Sequence, residues 1–237
     1  ANPQNKRYKA FWWFKKKCKC CGRSEENLRY RTKSREKVAH EFRVLSGKYR
    51  QLDFTVVDPA IVAGFMAKMT KGLKQEGLDF NIWCQSRVKY KKEELEAMAR
   101  NGVNTIFLGI ESLSTPVLEI MRKGHTALEA IEVLKWGLEF GVTITWNMIH
   151  QFPNELPEHY EKMADLMESL THLSPPFHLA RLNIDRSSVF FDNPEEYGIT
   201  LYDPYPMKEP IYYLAQELGH KDQVRDLADY LDATFDK

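Results

Sequence analysis

Long hydrophobic runs are missing from this sequence. No apolar stretch approaches the roughly 18 residues needed to cross a bilayer, and the opening residues, Ala1-Asn2-Pro3-Gln4-Asn5-Lys6, have no signal-peptide core. The expectation is a soluble, cytoplasmic chain with no membrane partner. It also lacks a starting Met, which reads as a piece cut from something longer. Cysteine is scarce: four residues in 237 are too few for a disulfide framework. Three of them, Cys18, Cys20 and Cys21, fall within four positions, where mutual bridging is geometrically poor. Clustered thiols of this kind point to a metal in a reducing compartment. No second Cys/His pair stands at zinc-finger spacing, which argues against zinc. No Gly-x-Gly-x-x-Gly turn is present, which excludes the dinucleotide-binding order.

Net charge is also nearly absent, at +1, but the balance hides a gradient. Residues 1–50 hold sixteen Lys/Arg against four Asp/Glu, while residues 192–237 hold four against eleven. Such asymmetry marks either an anionic partner at the basic end or a solvated lysine surface. Hydrophobic residues at 43% and charged residues at 28% are ordinary globular composition, with enough apolar surface for a large single core.

What the chain does have is a strand–helix beat. Leu52–Val57 reads as a strand, followed by a helix with Ile61, Phe65, Met69 and Leu73 on one face, stopped near Gly77. Asp79–Cys84 and Val103–Ile110 are the next strands, the latter an almost continuous apolar run typical of buried parallel pairing. Helices are predicted before them, where Ser34 can cap a segment carrying Val38, Phe42 and Leu45, and between and after them at Leu95–Ala99, 115–123 and 127–140. Val142–Ile149 is then a single strand, followed by a helix using Tyr160, Met163, Met167 and Leu170. Phe177–Ile184 is the last strand, and Val224, Leu227, Ala228 and Leu231 mark a C-terminal helix.

With Arg7–Phe11 as a first strand, six βα units result, implying parallel pairing through crossovers. The expected fold is α/β, an open six-unit (βα)6 partial barrel. Its core spans residues 1–190, with an acidic helical extension over 191–237. Function in such a fold sits at the C-terminal ends of the strands.

The cysteine segment Lys17-Cys18-Lys19-Cys20-Cys21-Gly22 follows the first strand, on that rim. A Cys-x-x-Cys pair there suits iron–sulfur, zinc or redox exchange, and the surrounding lysines favour thiolates. Further on stand Tyr30-Arg31-Thr32-Lys33-Ser34, then Gly109-Ile110-Glu111-Ser112-Leu113-Ser114, then Met121-Arg122-Lys123-Gly124. Trp146-Asn147, Phe152-Pro153, Glu155, His172-Leu173, Pro175-Pro176 and Asp185-Arg186-Ser187 complete an ordered set. In this order the set resembles the radical S-adenosylmethionine (SAM) family that matures ribosomally made peptides, many of whose members are cobalamin-dependent C-methyltransferases.

The resemblance implies the radical SAM type of partial barrel and a [4Fe–4S] cluster. It also implies SAM cleaved reductively to a 5′-deoxyadenosyl radical, a reductant supplying the electron, and a peptide substrate. It implies Cys18 and Cys21 as cluster ligands, and Glu111 and Ser112 against polar parts of SAM. Asp58 falls to the methionine ammonium, with Asn147 and Phe152 near the adenosine. Cobalamin would belong to a domain absent from this chain.

Departures concentrate on the cofactor. Ala10 stands at the family's first ligand position, and Cys20 replaces the usual aromatic residue before the last ligand. Gln151 and Asn154 stand where the family has glycines, so side chains could obstruct the nucleoside. Cys20 is the substitute for the missing ligand if the cluster assembles. Three readings stay open: an active radical SAM enzyme, a disabled binding protein on the same scaffold, and, last, a nucleic-acid binder using Phe11–Phe14 with the neighbouring lysines. His172 reads as structural, and Cys84 as a small buried residue.

Overall fold

The computed structural model describes residues 18–20, 32–58, 61–185 and 188–200, together with the backbone of residues 11, 12 and 31. The elements in chain order begin with β1 (Phe11–Trp12), β2 (Arg31–Thr32), α1 (Arg35–Tyr49), β3 (Asp53–Val56) and α2 (Ala63–Gln75). They continue with β4 (Asn81–Ser86), α3 (Lys92–Arg100), β5 (Val103–Leu108), α4 (Thr115–Met121) and α5 (Ala127–Phe140). The last are β6 (Thr143–Thr145), β7 (Asn147–His150), α6 (Pro157–Glu168), β8 (His178–Arg181), α7 (Val189–Asp192) and a 3-10 turn at Pro194–Tyr197.

Local chemistry sets the helix ends. Ser34 caps α1, its hydroxyl accepting from the Lys37 N–H at 3.2 Å. Thr126 and Glu129 form a reciprocal capping box on α5, which ends at Gly141 with φ of 70°. Gly77, the predicted stop after α2, also has positive φ.

Strands β3, β4, β5 and β6 form one parallel sheet in that order, and β7 and β8 form a parallel pair. A parallel bridge between Glu111 and Met148 connects the two, with the Ile149 N–H donating to the Glu111 carbonyl at 2.9 Å. The α/β partial-barrel expectation is met in this parallel, helix-backed sheet. The single strand predicted over Val142–Ile149 is two. At Trp146 the chain leaves β5 and takes β8 as its partner, the Phe177 N–H donating to the Trp146 carbonyl at 2.7 Å. Trp146 is 1% exposed and its indole N–H donates to the Ser174 carbonyl, so the crossover residue is itself locked in the core. The strand predicted to begin at Asp79 begins at Asn81. Of the predicted first strand, residues 7–10 lie outside the described residues, and Phe11 pairs antiparallel in β1–β2. The predicted C-terminal helix and all of residues 201–237 lie outside them as well.

The sheet has two faces of different character. Ile82, Cys84, Ile106, Leu108 and Ile144 are at most 3% exposed and back onto helices, together with Met66, Leu73, Leu95 and Met98. Full burial of each such side chain contributes about 1.5–3 kcal/mol. Alternate residues Trp83, Gln85, Thr105, Phe107 and Thr145 point to the other face and are only half-buried. That face is the lumen of the barrel. Cys84 is the buried small residue predicted, and burial pushes its thiol up to about 12.

Gly102, at φ of 93°, brings the chain into β5 against the Phe80 carbonyl, with which an added Cβ would collide. Gly47 on α1 has nothing within 4 Å of such a Cβ. Gly102→Ala is therefore expected to lower stability by about 2 kcal/mol or more, while Gly47→Ala raises it by up to about 1. Urea midpoints of the two variants check both directions.

Candidate functional site

A cavity of about 390 Å³ opens at the C-terminal ends of the strands. β4 contributes Gln85 and Ser86 and is followed by Arg87; Phe107 and Gly109 come from β5 and the residue just past its end. Ile149 of β7, Ala180 and Arg181 of β8, and Asp185 form the facing wall. Cys18 and Cys20 line it from the rim.

Three backbone hydrogen bonds hold the short cysteine segment in place. The Lys19 N–H donates to the Met121 carbonyl at 3.3 Å, the Phe190 N–H to the Lys19 carbonyl at 3.0 Å, and the Asp185 N–H to the Cys20 carbonyl at 3.2 Å. Cys20 packs against a small apolar cluster of Val117, Leu118, Met121, Phe152 and Phe190 that walls this end of the cavity. The Lys19 ammonium lies 4.6 Å from the centre of the Tyr197 ring. Burial, ahead of the nearby Arg122 charge, pulls its pKa down.

Glu111 sits at the centre of the charged wall with φ of 67°. Its Oε1 accepts from Lys123 Nζ at 3.0 Å, both side chains being less than a fifth exposed. A Cβ on Gly109 would lie 3.3 Å from that ammonium and 3.5 Å from the carboxylate, so glycine lets the pair rest directly on the strand end. Burial opposes the charge on Lys123, but Glu111, Cys18 and Cys20 outweigh it and hold the pKa above the ordinary lysine value.

The predicted residues divide. Cys18, Cys20, Glu111 and Phe152 all line the cavity. Cys21 and Ala10 lie outside the described residues, as do most of the basic aromatic positions 11–17. Asn147 shares the lumen face of β7 with Ile149, one step deeper, and its buried Oδ1 has no hydrogen-bond partner among the described residues. Ser112 and Asp58 are buried and are not among the residues that line the cavity. The Ser112 hydroxyl oxygen accepts from the Ser114 N–H at 3.1 Å, and Asp58 is fully buried after β3 with a partner of its own. Lys123, Arg87, Arg181 and Asp185 were not predicted as site residues, because isolated charges carry no spacing signal. Lys123 could have been found from its place two residues past α4 in the Met-Arg-Lys-Gly run.

The segment Gln151–Glu155 keeps its turn without the glycines. Gln151 and Asn154 keep the left-handed backbone, at φ of 71° and 69°, although neither is glycine. Both side chains are exposed and neither lines the cavity. Glu155 closes the turn, its Oε2 accepting from the Gln151 N–H at 2.8 Å and from the Tyr160 hydroxyl.

Together these features define a parallel partial barrel with thiols and an acid–lysine pair at one catalytic-end cavity. The radical SAM superfamily model matches residues 15–167, and the chain belongs to that superfamily. It is 32% identical over 154 residues to the uncharacterized methyltransferase PH0819 of Pyrococcus horikoshii, covering 64% of this chain and 34% of that protein. The chain thus spans about a third of the length of this curated relative. Among solved structures it is similar to the radical SAM methyltransferase TsrM of Kitasatospora setae, solved with cobalamin and a [4Fe–4S] cluster. The TM-score is 0.67 at 14% identity, over 77% of this chain and 38% of that one. It is also similar to the cobalamin-dependent SAM radical enzyme OxsB, at 0.60 and 18%, over 81% and 30%. These structural likenesses are of fold. No helix among the described residues is long and apolar enough to cross a membrane.

Two predictions follow from the site's backbone and its buried histidine. Left-handed non-glycine residues cost about 1 kcal/mol each, less for Asn, so Gln151→Gly should stabilise by up to about 1 kcal/mol and Asn154→Gly by less, read as shifts in denaturation midpoint. Burial first, and Lys123 next, push His125 down to about 4, with Glu129 and Lys89 also facing it. An unfolded histidine titrates near 6.5. Its contribution is therefore complete above that pH and is lost as pH falls through about 4, amounting to about 3 kcal/mol. Stability measured between pH 7 and 4 should fall more steeply in the wild type than in His125→Gln.

Proposed function

We propose that this chain is the SAM-binding barrel of a methyltransferase-type radical SAM enzyme acting on a peptide. The observation that carries the reading is the convergence of Cys18, Cys20 and the Glu111–Lys123 pair on one cavity at the strand ends.

The residues fit the implied group in kind. Two thiols line the cavity wall beside a retained cation, and thiolate is the donor that iron–sulfur clusters take. The third thiolate is Cys21, which the family resemblance makes a ligand. In this reading Cys18, Cys20 and Cys21 hold the cluster, Cys20 standing in for the ligand that Ala10 cannot supply. With SAM bound to it, a [4Fe–4S] cluster supplies one-electron SAM cleavage and hydrogen abstraction, the electron coming from an external reductant.

The chain's own side chains then have separate tasks. Lys123 would offset the negative charge of cluster thiolates at the cavity wall that it shares with Cys18 and Cys20. Glu111 accepts hydrogen bonds from polar groups of SAM. Phe152 and Ile149 present apolar surface that excludes water from the adenosine side. The Asn147 Oδ1, without a hydrogen-bond partner among the described residues, offers an acceptor deeper in the lumen. Arg181 makes no ion pair among the described residues and faces the mouth, where it can meet a carboxylate. Cobalamin, bound in TsrM and OxsB, would come from a part of the protein beyond this chain.

A second reading, a cluster-free binding protein on this scaffold, rests on Ala10 and on the two thiols that line the cavity among the described residues. Anaerobic iron–sulfur reconstitution with iron counting and electron paramagnetic resonance separates the two. The expected result is near four irons per chain, a signal that shifts on adding SAM, and deoxyadenosine formation abolished by Cys18→Ala. A folded protein that takes up no cluster would overturn the enzyme reading in favour of the binding scaffold.

A further inference from the structure

The Glu111 backbone is unusual for a residue that carries a side chain. In the left-handed region its Cβ crowds the following carbonyl, at about 1–2 kcal/mol, and such a conformation persists only where the surroundings over-determine it. Two holds on Glu111 have been described: the Ile149 N–H on its carbonyl at 2.9 Å, and Lys123 Nζ on its carboxylate at 3.0 Å. A third acts one residue earlier. The His125 Nε2 lies 3.2 Å from the Ile110 carbonyl oxygen.

A carbonyl only accepts, so Nε2 carries the ring proton and donates. Ile110 is fully buried and His125 is 8% exposed, which keeps water from that carbonyl and leaves the imidazole to satisfy it. The histidine arrives by a short route. Gly124, at φ of 78°, separates it from Lys123, and the bend sends the two neighbours to different targets. Lys123 reaches the Glu111 side chain, while His125 reaches the backbone entering Glu111. One three-residue segment thus grips the turn from both sides.

We propose that His125 is a positioning residue whose Nε2–H, by holding the Ile110 carbonyl, sets the left-handed turn that aims the Glu111 carboxylate into the cavity. The consequence for SAM rests on the reading of Glu111 as a SAM contact; the consequence for the turn does not.

Amide hydrogen exchange on the ligand-free chain at pH 7 tests it, in wild type, His125→Ala and His125→Gln. The Ile149 amide reports the turn, because its partner is the Glu111 carbonyl. His125→Ala should speed Ile149 exchange at least tenfold while the β4–β5 ladder keeps its protection. His125→Gln, whose side-chain amide can donate to the same carbonyl, should stay within about threefold of wild type. Unchanged Ile149 protection in His125→Ala overturns the proposal. So does an equal loss across all core amides in both variants, which would make the histidine a matter of global stability. Calorimetric SAM binding by the same proteins separates the two claims. A tenfold loss of affinity in His125→Ala, with faster Ile149 exchange, supports both. Faster exchange with unchanged affinity supports His125 as setting the turn and overturns Glu111 as the SAM contact.

Discussion

The left-handed turn at Glu111 is the constraint on which the functional end of this barrel depends. It lies three residues past the end of β5, and it offers a carbonyl to Ile149, so the four-stranded sheet and the β7–β8 pair are joined through it. It also turns a carboxylate toward Lys123 above a glycine, placing charge at the strand ends where a regular strand residue would point into the core or the lumen. Were the chain to continue extended at this point, β7 would lose its bridge and the cavity would lose its central acid. Conformational strain of this kind is kept where function requires it and is offset by contacts around it.

Behind that turn, the sheet divides its work between two faces. The helix-side residues are almost wholly buried and supply the hydrophobic driving force, with Leu95, Met98, Ile82 and Ile106 all at 0% exposure. The lumen face carries Thr105, Gln85, Thr145 and Asn147 among Trp83, Phe107 and Ile149, and is only half-buried. The hydrophobic core therefore lies on one side of a single layer of backbone and the half-buried lumen on the other, one residue apart along every strand. The cysteine segment belongs to neither face. It is docked onto the rim by backbone bonds to Met121, Asp185 and Phe190, which explains how a run so poor in regular structure can present two thiols to one cavity.

The altered glycine positions show how a departure from a family pattern can leave the backbone intact. Gln151 and Asn154 adopt the conformation that glycine would adopt, and their side chains go to solvent. The turn is retained because Glu155 closes it and Phe152 anchors it in the apolar cluster with Phe190. A side chain at such a position is a strain on stability before it is a barrier to a ligand.

Sequence pattern alone determined the fold class and the order of strands and helices from residue 35 to residue 181. Apolar periodicity records which face an element buries, and Ser34, Thr126, Gly77 and Gly141 record where helices start and stop. It also named Cys18, Cys20, Glu111 and Phe152, which line one cavity, since ordered motifs name residues without needing their positions. Tertiary structure decided what periodicity cannot encode. The change of partner at Trp146 depends on barrel curvature, which no local spacing carries. The pairing of Glu111 with Lys123, twelve residues on, and the docking of His125 beneath the turn depend on a helix folding back over the sheet. Asp58 and Ser112 read in sequence like site residues and are buried at 0% and 1% exposure, a depth that residue type alone does not announce.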